Sequence, residues 1–383
     1  MFSLFKAFVL FGAGLLASFG ADASLKFDAK SVETLYLSSL LPSSEFKGYK
    51  HQVTVTTSKE LQGAVKRANQ KGNTLILLSA ASYRLNQTIV ITGSRIAIMG
   101  MGKTPFDTVL TGNGMKSGQN IDNLFHITGN QVHLENFTLE QAGNHLVQIS
   151  NSEGGAYGYF KNLVFQDAYQ QLFKVSYDES NSKRLAKFGV VESCLFRYSG
   201  AAGPNWYIGG IDAHGIKKWQ IKKNVFHNIA SPGESIAEHA IHIWDQSEHN
   251  VVENNLIVNS DRGIGFGMRL TEGDIKTWSN LGGKIQDNAI YHEDNEHPFS
   301  DVGIILEDSP GTQVSGNVIY HKHWYPNAIE VRFPFSTGVT VERNVSNRLF
   351  RNRNGAGASF EGNQISVFDI ETHFLEVLLQ NGF

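Results

Sequence analysis

The sequence predicts a right-handed parallel β-helix, an all-β solenoid in which the chain stacks coil upon coil. A block of the form hydrophobic, polar, polar, Asn, hydrophobic recurs, with its fourth position at Asn224, Asn255, Asn288, Asn317 and Asn344. In three earlier blocks that position is taken by Phe137, Leu163 and Cys194. Neighbouring fourth positions are 26 to 33 residues apart. A period near thirty residues indicates one coil per repeat.

A second block precedes each of these and alternates apolar with polar residues, as in LFHIT (124–128), LFKVS (172–176) and AIHIW (240–244). Alternation with period two is typical of a half-buried strand. We therefore predict two short strands per coil, joined by turns of variable length. The Asn side chains of successive coils should form a hydrogen-bonded ladder inside the solenoid.

The chain of 383 residues is expected to form one domain, because the repeat is unbroken. Residues 1–23 are typical of a signal peptide, with Lys6, an apolar run over 7–19 and a cleavage site after Ala23. That run is too short to span a membrane, so we expect a secreted or periplasmic protein. The remaining boundaries are 24–57 for an N-terminal extension, 58–365 for the β-helix and 366–383 for a C-terminal closing cap or tail.

Composition narrows the functional classes. The formal net charge of −3 gives no indication of nucleic-acid binding. The single cysteine, Cys194, cannot form a disulfide within one chain, so stability must come from stacked hydrophobic coils. We expect a monomer with no nucleic-acid partner and no membrane span.

A helix is predicted over 59–70, with Ser58 as its N-cap and an apolar face that covers the open end of the core. It contains the sequence LQGAVKRA and is followed by TLILL (74–78), YRL (83–85) and GMG (100–102). In this order the segments resemble the start of the pectate-lyase-like β-helix superfamily. The resemblance covers roughly 58–365 and implies an architecture rather than a reaction.

The alternation places a row of polar and aromatic side chains on one outer face of the solenoid. Charged, imidazole and indole groups there, beside the glycines of 263–267, predict a groove for a sugar chain. Trp244 and Trp206 would offer flat surfaces on which sugar rings stack. The other residues expected to contact a polysaccharide are His126, Glu307, Glu330 and Arg332. The competing interpretation is an ordinary solvated face, since outward strand residues are usually polar.

The segment GIDAHG (210–215) resembles the GIDPH motif of mannuronan C5-epimerases, which are also right-handed β-helices. Asp212 and His214 match that motif. The resemblance implies that both lie at the uronate C5, with His214 transferring a proton. Ala213 replaces the proline of the motif, Gly215 replaces the acid that follows it, and Asp245 stands where that family has an arginine.

Proton abstraction beside a uronate carboxylate needs a base that titrates near neutral pH and cations that neutralise the carboxylate. We predict His214 or His242 as the base, with the neutralising charge from Lys174, Arg262 or Arg332. Elimination of the 4-linked sugar would make the protein a polysaccharide lyase, which is our first prediction. Reprotonation from the opposite face would make it a C5-epimerase. Outside enzymes, the alternative is a carbohydrate-binding or envelope protein.

Three acids are expected in the same register of successive coils: Glu238, Asp261 and Asp301. Stacked carboxylates would bind Ca²⁺, the one cofactor predicted, or form a salt-bridged stack with Arg262 and His239. Two further alternatives remain open. Asp212, His214 and His242 would suit a transition metal. Glu307 and Glu330 would suit the paired acids of a glycoside hydrolase.

Overall fold

The structure is a computed structural model that describes residues 25–116, 121–151, 154–178, 185–233, 235–271 and 278–383. It is the right-handed parallel β-helix that the sequence predicts. The predicted signal peptide lies outside the described residues. Within those ranges, a typical coil contributes one strand to each of three parallel sheets, which we call sheets A, B and C. The prediction of two strands per coil is therefore wrong.

The strands of sheet A are His51–Val55, Thr74–Leu78, Ile96–Gly100, Val132–Glu135, Tyr159–Lys161, Val190–Glu192, Gln220–Lys222, Val251–Glu253, Lys284–Gln286, Gln313–Ser315, Thr340–Glu342 and Ser359–Glu361. Those of sheet B are Ile89–Ile91, Phe125–Ile127, Val147–Ser150, Gln171–Ser176, Gly209–His214, His239–Trp244, Arg262–Phe266, Ile304–Glu307, Asn327–Arg332 and Leu349–Arg353. Those of sheet C are Ser82–Arg84, Val109–Thr111, Thr138–Ala142, Val164–Ala168, Leu195–Arg197, Val225–His227, Leu256–Val258, Ala289–His292, Val318–His321, Val345–Ser346 and Gln364–Ile365. A smaller sheet consists of Ala186–Lys187, Ile216–Lys217, Ser247–Glu248 and Asn280–Leu281.

The additional strand arises inside the Asn block, which is a corner rather than one strand. Lys223 precedes Asn224 and has a left-handed backbone, with φ at 55°, so the chain turns between the strands Gln220–Lys222 and Val225–His227. Asn254 and Asp287 hold the same position in the next two coils, with φ at 55° and 54°. Strands this short show too little alternation for a period-two pattern to separate them.

The Asn ladder at this corner is confirmed. The Nδ2 atoms of Asn255 and Asn288 each donate to the Oδ1 atom of the next Asn at 2.9 Å, and the column runs from Asn224 through Asn317 and Asn344 to Asn363. The same Oδ1 atoms accept backbone N–H groups, as Asn317 Oδ1 does from Asn288 at 3.0 Å. The ladder therefore satisfies buried backbone donors at a corner where no strand can.

Two helices precede most of the coils: α1 spans Ala29–Ser38, and α2, the helix predicted at the N-terminal end, spans Ser58–Lys71. The N-cap of α2 is Thr57, whose side chain accepts the Glu60 N–H, so the prediction of Ser58 as N-cap is wrong by one residue. The buried face of α2 packs into the core, as expected for a helix that covers the end of the coils. The strand His51–Val55 precedes it, so sheet A begins inside the segment expected to be an extension.

The two terminal segments lie against the outer face of sheet C. The C-terminal helix α3, Ile370–Asn381, buries Phe374 against Tyr291, and Phe27 contacts both rings at centroid distances of 5.9 and 5.0 Å. Helix α1 packs on the same sheet farther along. The predicted closing cap is therefore a helix on the side of the solenoid. Among the described residues, no helix is long and apolar enough to cross a membrane.

Candidate functional site

The register of sheet B aligns one outward position from each successive coil. This row consists of Val90, His126, Gln148, Lys174, Asp212, His242, Gly265, Ile305 and Glu330. His214 pairs with Trp244 two positions farther along the strands. The inward residues of these strands belong to the hydrophobic core, as predicted, and those of the outward row do not, although Asp212, His242 and Glu330 are also buried. The strand register therefore brings together candidate residues that lie about one coil apart in sequence.

Lys174, Asp212 and His214 meet in a tight cluster. Lys174 Nζ forms a salt bridge with Asp212 Oδ2 and lies 2.7 Å from His214 Nε2. Asp212 Oδ1 lies 3.2 Å from that Nε2 and accepts the indole N–H of Trp244 at 2.8 Å. His214 Nδ1 lies 3.1 Å from Asp245 Oδ2. Asp212 is buried, while the side chains of Lys174 and His214 are 12 and 15% exposed.

The contacts of His214 define its protonation pattern. An ammonium cannot accept a hydrogen bond, so in the neutral ring the contact with Lys174 assigns the lone pair to His214 Nε2. Nδ1 then carries the ring hydrogen and donates it to Asp245. When the ring is protonated, Asp212 Oδ1 can accept the Nε2 hydrogen instead. The cluster thus presents one basic lone pair beside one ammonium. It can accept a proton from a bound molecule and return one from almost the same position.

The surrounding carboxylates tune these groups. Burial lowers the pKa of His214, but its contacts with Asp212 and Asp245 raise it by more, so the pKa lies above the usual 6.5. Burial raises the pKa of Asp212, yet the contact with His214 and the charge of Lys174 outweigh burial and hold that pKa below its usual range. Asp212 therefore remains ionised and orients both basic groups.

A second cluster lies on the next coil. His242 Nε2 is 3.0 Å from the Gly267 carbonyl oxygen, and His242 Nδ1 faces Glu238 Oε2 at 3.4 Å. The side chain of His242 is 8% exposed and that of His214 is 15% exposed, so His242 is the less accessible candidate base. The ring of His239 lies over Gly265, where an added Cβ would come within 2.8 Å of it. His239 therefore fills the space above Gly265, within the depression predicted at the glycines of 263–267.

The three acids predicted to bind Ca²⁺ have separate partners. Asp261 is fully buried and accepts the backbone N–H groups of Ser231 and Ala237 at 3.0 and 2.9 Å. Asp301 pairs with Arg262 at 3.5 Å, and Glu238 faces the two histidines of its own coil. In the described part of the chain, the group whose ligand atoms converge is Glu238, His239 and His242. The shared register does not assemble a triple-carboxylate calcium site.

The alternative metal site of Asp212, His214 and His242 is not assembled either. The Lys174 ammonium contacts both Asp212 and His214, so a positive charge already occupies the position that a cation would take. His242 faces Glu238. Arg262 pairs with Asp301 and does not join the Lys174 cluster through any described hydrogen bond or salt bridge.

Glu307, Glu330 and Arg332 form a separate network toward the C-terminal end of sheet B. Glu330 is fully buried and forms salt bridges with both Arg332 and Arg353, and Arg332 also reaches Glu307 at 3.2 Å. Burial raises the pKa of Glu330, but the Arg332 charge and the hydrogen bonds around it lower that pKa by more. Because a glycosidase acid needs a raised pKa, this pair does not suit glycoside hydrolysis.

The two other predicted sugar contacts are His126 and Trp206. His126 is in the same outward row, two coils before Lys174, with its Nε2 atom 2.8 Å from Ser150 Oγ. Trp206 is 45% exposed and lies edge-to-face with Tyr207 in the segment that leads into the strand Gly209–His214. The role of this exposed indole as a sugar-stacking surface stays a prediction.

The site predicted from the sequence did not include Asp245 or His239. Asp245 reaches His214 because it lies one residue beyond its strand in a left-handed conformation, with φ at 53°. His239 joins Glu238 and His242 because the chain between them does not keep strict alternation, so both rings face one side at 4.4 Å. The spacing Glu-His-x-x-His at 238–242 is the sequence signal that could have identified the second cluster.

The fold is similar to solved β-helix structures. An alginate lyase from Paenibacillus sp. str. FPU-7 matches with a TM-score of 0.56 and 14% identity, covering 82% of this chain and 99% of that one. A mannuronan C-5 epimerase module from Azotobacter vinelandii matches with a TM-score of 0.48 and 13% identity, covering 81% and 92%. No family model and no curated protein matches the sequence. At 14% identity, the likeness to the alginate lyase establishes the fold alone.

Proposed function

We propose that this protein is an exported carbohydrate-active enzyme that cleaves a uronate-containing polysaccharide by β-elimination. The observation that carries the proposal is the contact of Lys174, Asp212 and His214 on the outer face of sheet B. The similarity in fold to an alginate lyase supports the same class of substrate. Export rests on the signal-peptide pattern of residues 1–23.

In the proposed reaction, His214 acts as the base and Lys174 acts as the acid. His214 Nε2 takes the C5 proton of a uronate, and the electron pair of the broken C5–H bond forms a C4–C5 double bond. The C4–O4 bond then breaks, and the leaving oxygen receives a proton from Lys174. The products are an unsaturated uronate and a new chain end, with no water consumed. The positive charge at Lys174 also stabilises the anion that develops beside the uronate carboxylate.

Elimination fits the cluster better than epimerisation. His214 Nε2 and Lys174 Nζ are 2.7 Å apart, so the base and the acid would both contact the sugar from the same side. Epimerisation instead needs a proton donor on the opposite face of C5. The contact between Lys174 and His214 supports an acid and a base on one side of the sugar rather than on facing walls. The epimerase-like GIDAHG segment nevertheless keeps that reaction as the second candidate.

One experiment separates the candidates. The purified protein is incubated with alginate, pectate and glycosaminoglycans, and products are followed by ultraviolet absorbance of unsaturated uronate and by NMR in D₂O. New absorbance is expected with at least one uronate polymer. Deuterium exchange at C5 without absorbance would indicate an epimerase. Polymer binding with neither signal would indicate a non-catalytic carbohydrate-binding protein.

A further inference from the structure

We propose that Glu238, His239 and His242 form a binding site for a divalent transition metal of the zinc class. The site lies beside the Lys174 cluster but shares no ligand with it, and the proposal stands whether or not the protein cleaves polysaccharide. Three observations carry it: the convergence of three donor atoms, the orientation of His242 and the unpaired ring of His239.

The donor atoms are spaced as metal ligands are. Glu238 Oε2 lies 3.4 Å from His242 Nδ1 and 3.6 Å from His239 Nδ1. One ligand atom from each of the three residues lies within 4.8 Å of the others. Tetrahedral zinc with bonds of about 2.0–2.1 Å places its ligands roughly 3.3 Å apart. Small side-chain adjustments would therefore bring all three atoms into coordination distance.

The orientation of His242 favours a cation over a hydrogen bond. A backbone carbonyl only accepts, so the contact with Gly267 requires that His242 Nε2 carry the ring hydrogen. In the neutral ring, Nδ1 is then a lone pair that faces the Glu238 carboxylate. Two electron-rich atoms at this distance repel each other unless a proton or a metal lies between them. Metal-binding histidines commonly donate their distant N–H to a backbone carbonyl in this way.

His239 provides a second, independent indication. It is only 6% exposed, and neither ring nitrogen has a hydrogen-bond partner among the described residues. Buried polar atoms without partners are uncommon, because they lose their bonds to water. Gly265 leaves the space that the ring occupies.

The donor set selects the kind of metal. Two imidazoles and one carboxylate suit zinc and its first-row neighbours, whereas Ca²⁺ takes six to eight oxygen ligands. Three protein ligands leave a fourth position for water or an anionic group. The Glu238 side chain is 27% exposed, so solvent reaches the site. We therefore infer an open site of the kind that can bind an external ligand.

The test measures metal binding directly. The purified chain, carrying no polyhistidine tag, is stripped with a chelator, titrated with Zn²⁺ by calorimetry and analysed for bound metal by mass spectrometry. We expect one Zn²⁺ per chain. Glu238→Gln and His239→Gln should each weaken binding at least about 100-fold, beyond the loss usual for an outer-shell partner. Zinc should raise the melting temperature of the wild type but not of these variants.

His373→Gln is the matched control, because it removes a partly exposed histidine of helix α3 and should leave zinc affinity unchanged. Absence of stoichiometric Zn²⁺ binding, equal affinity in the site variants and the wild type, or a preference for Ca²⁺ would overturn the proposal. Co²⁺ substitution of the wild type tests the site without mutation. Strong visible absorption typical of four-coordinate cobalt is expected, and a weak six-coordinate spectrum would contradict the inferred geometry.

Discussion

His214 is the residue on which the proposed chemistry depends. Its Nε2 lone pair faces Lys174, and its Nδ1 hydrogen is held by Asp245. Both contacts fix the ring plane as well as the tautomer, so the base is oriented before substrate binds. Asp212 does not need to exchange a proton, because its depressed pKa keeps it ionised while it positions Lys174 and Trp244.

Replacing His214 with Gln should abolish turnover. Glutamine keeps a similar size and hydrogen-bonding capacity but cannot titrate near neutral pH, so the rate should fall on the order of 100-fold or more. Polymer binding and melting temperature should stay near wild type. His51→Gln, an exposed position in sheet A, is the control and should remain fully active. Full activity of His214→Gln with loss of activity in His242→Gln would assign the base to His242, and full activity of both variants would leave Lys174 or an arginine as the base.

The Asp245 contact predicts a pH effect. Since the reaction needs unprotonated His214, activity should rise as pH increases through the pKa of this group, which lies above 6.5. Asp245→Asn removes one of the two carboxylates that raise this pKa, so the acid limb should move to lower pH. Initial rates across pH measure the shift. Asp294→Asn, an exposed position, should leave the profile in place, and an unmoved limb in Asp245→Asn would mean that another group titrates.

At the scale of elements, the corner between sheets A and C is held by side chains rather than by strand pairing. The Asn288 amide donates to Asn317 Oδ1, Val252 O and Gln286 O, and its own oxygen accepts from Asn255. Each Asn thus serves its own corner and both neighbouring coils. Replacing one Asn should therefore lower the free energy of unfolding without changing the catalytic activity of the folded protein.

Asn288→Ala should destabilise the protein by roughly 1–3 kcal/mol, because buried polar groups of adjacent coils lose their partners. Denaturant unfolding followed by circular dichroism measures the change. Asn86→Ala is the matched control, since the Asn86 side chain is exposed and bonds only an exposed Gln62 side chain among the described residues. The control should change stability by less than about 0.5 kcal/mol. Equal stability of the two variants would remove the ladder from this explanation.

For the whole molecule, the chain ends stabilise the solenoid from the side. Phe27 and Phe374, from opposite ends of the described chain, meet on Tyr291 of sheet C. Tyr291 also donates its hydroxyl to the Leu25 carbonyl at 2.7 Å. These contacts cover apolar side chains that sheet C would otherwise present to water. They lie away from the outer face of sheet B.

Phe374→Ala should therefore cost about 3–5 kcal/mol of stability, the usual result of removing a fully buried Phe side chain. Activity per folded molecule should not change. The chain offers a matched control in Phe368→Ala, because Phe368 is 96% exposed and its loss should shift stability by less than about 0.5 kcal/mol. Thermal and denaturant melts compare the two. A small effect of Phe374→Ala would mean that helix α3 contributes little to the fold.

Local sequence patterns were enough to predict the solenoid, the Asn ladder and the side of each sheet B strand that faces outward. These features follow from local periodicity, because the sequence of each coil contains its own alternating pattern and its own corner. That information was sufficient to identify Lys174, Asp212 and His214 as members of one outer face. It also indicated the helix at the N-terminal end, although its N-cap is one residue earlier.

The partners of the outward side chains, in contrast, follow from contacts that form only when the coils stack. Glu238 and Asp261 have the same predicted register, yet one faces histidines and the other is buried under backbone N–H groups. Asp245 reaches His214 through a left-handed turn, and His239 fills the space above Gly265. Such pairings depend on distances of a few ångströms between coils some thirty residues apart. Hydrophobic periodicity records whether a side chain is buried, but not which charged neighbour it meets.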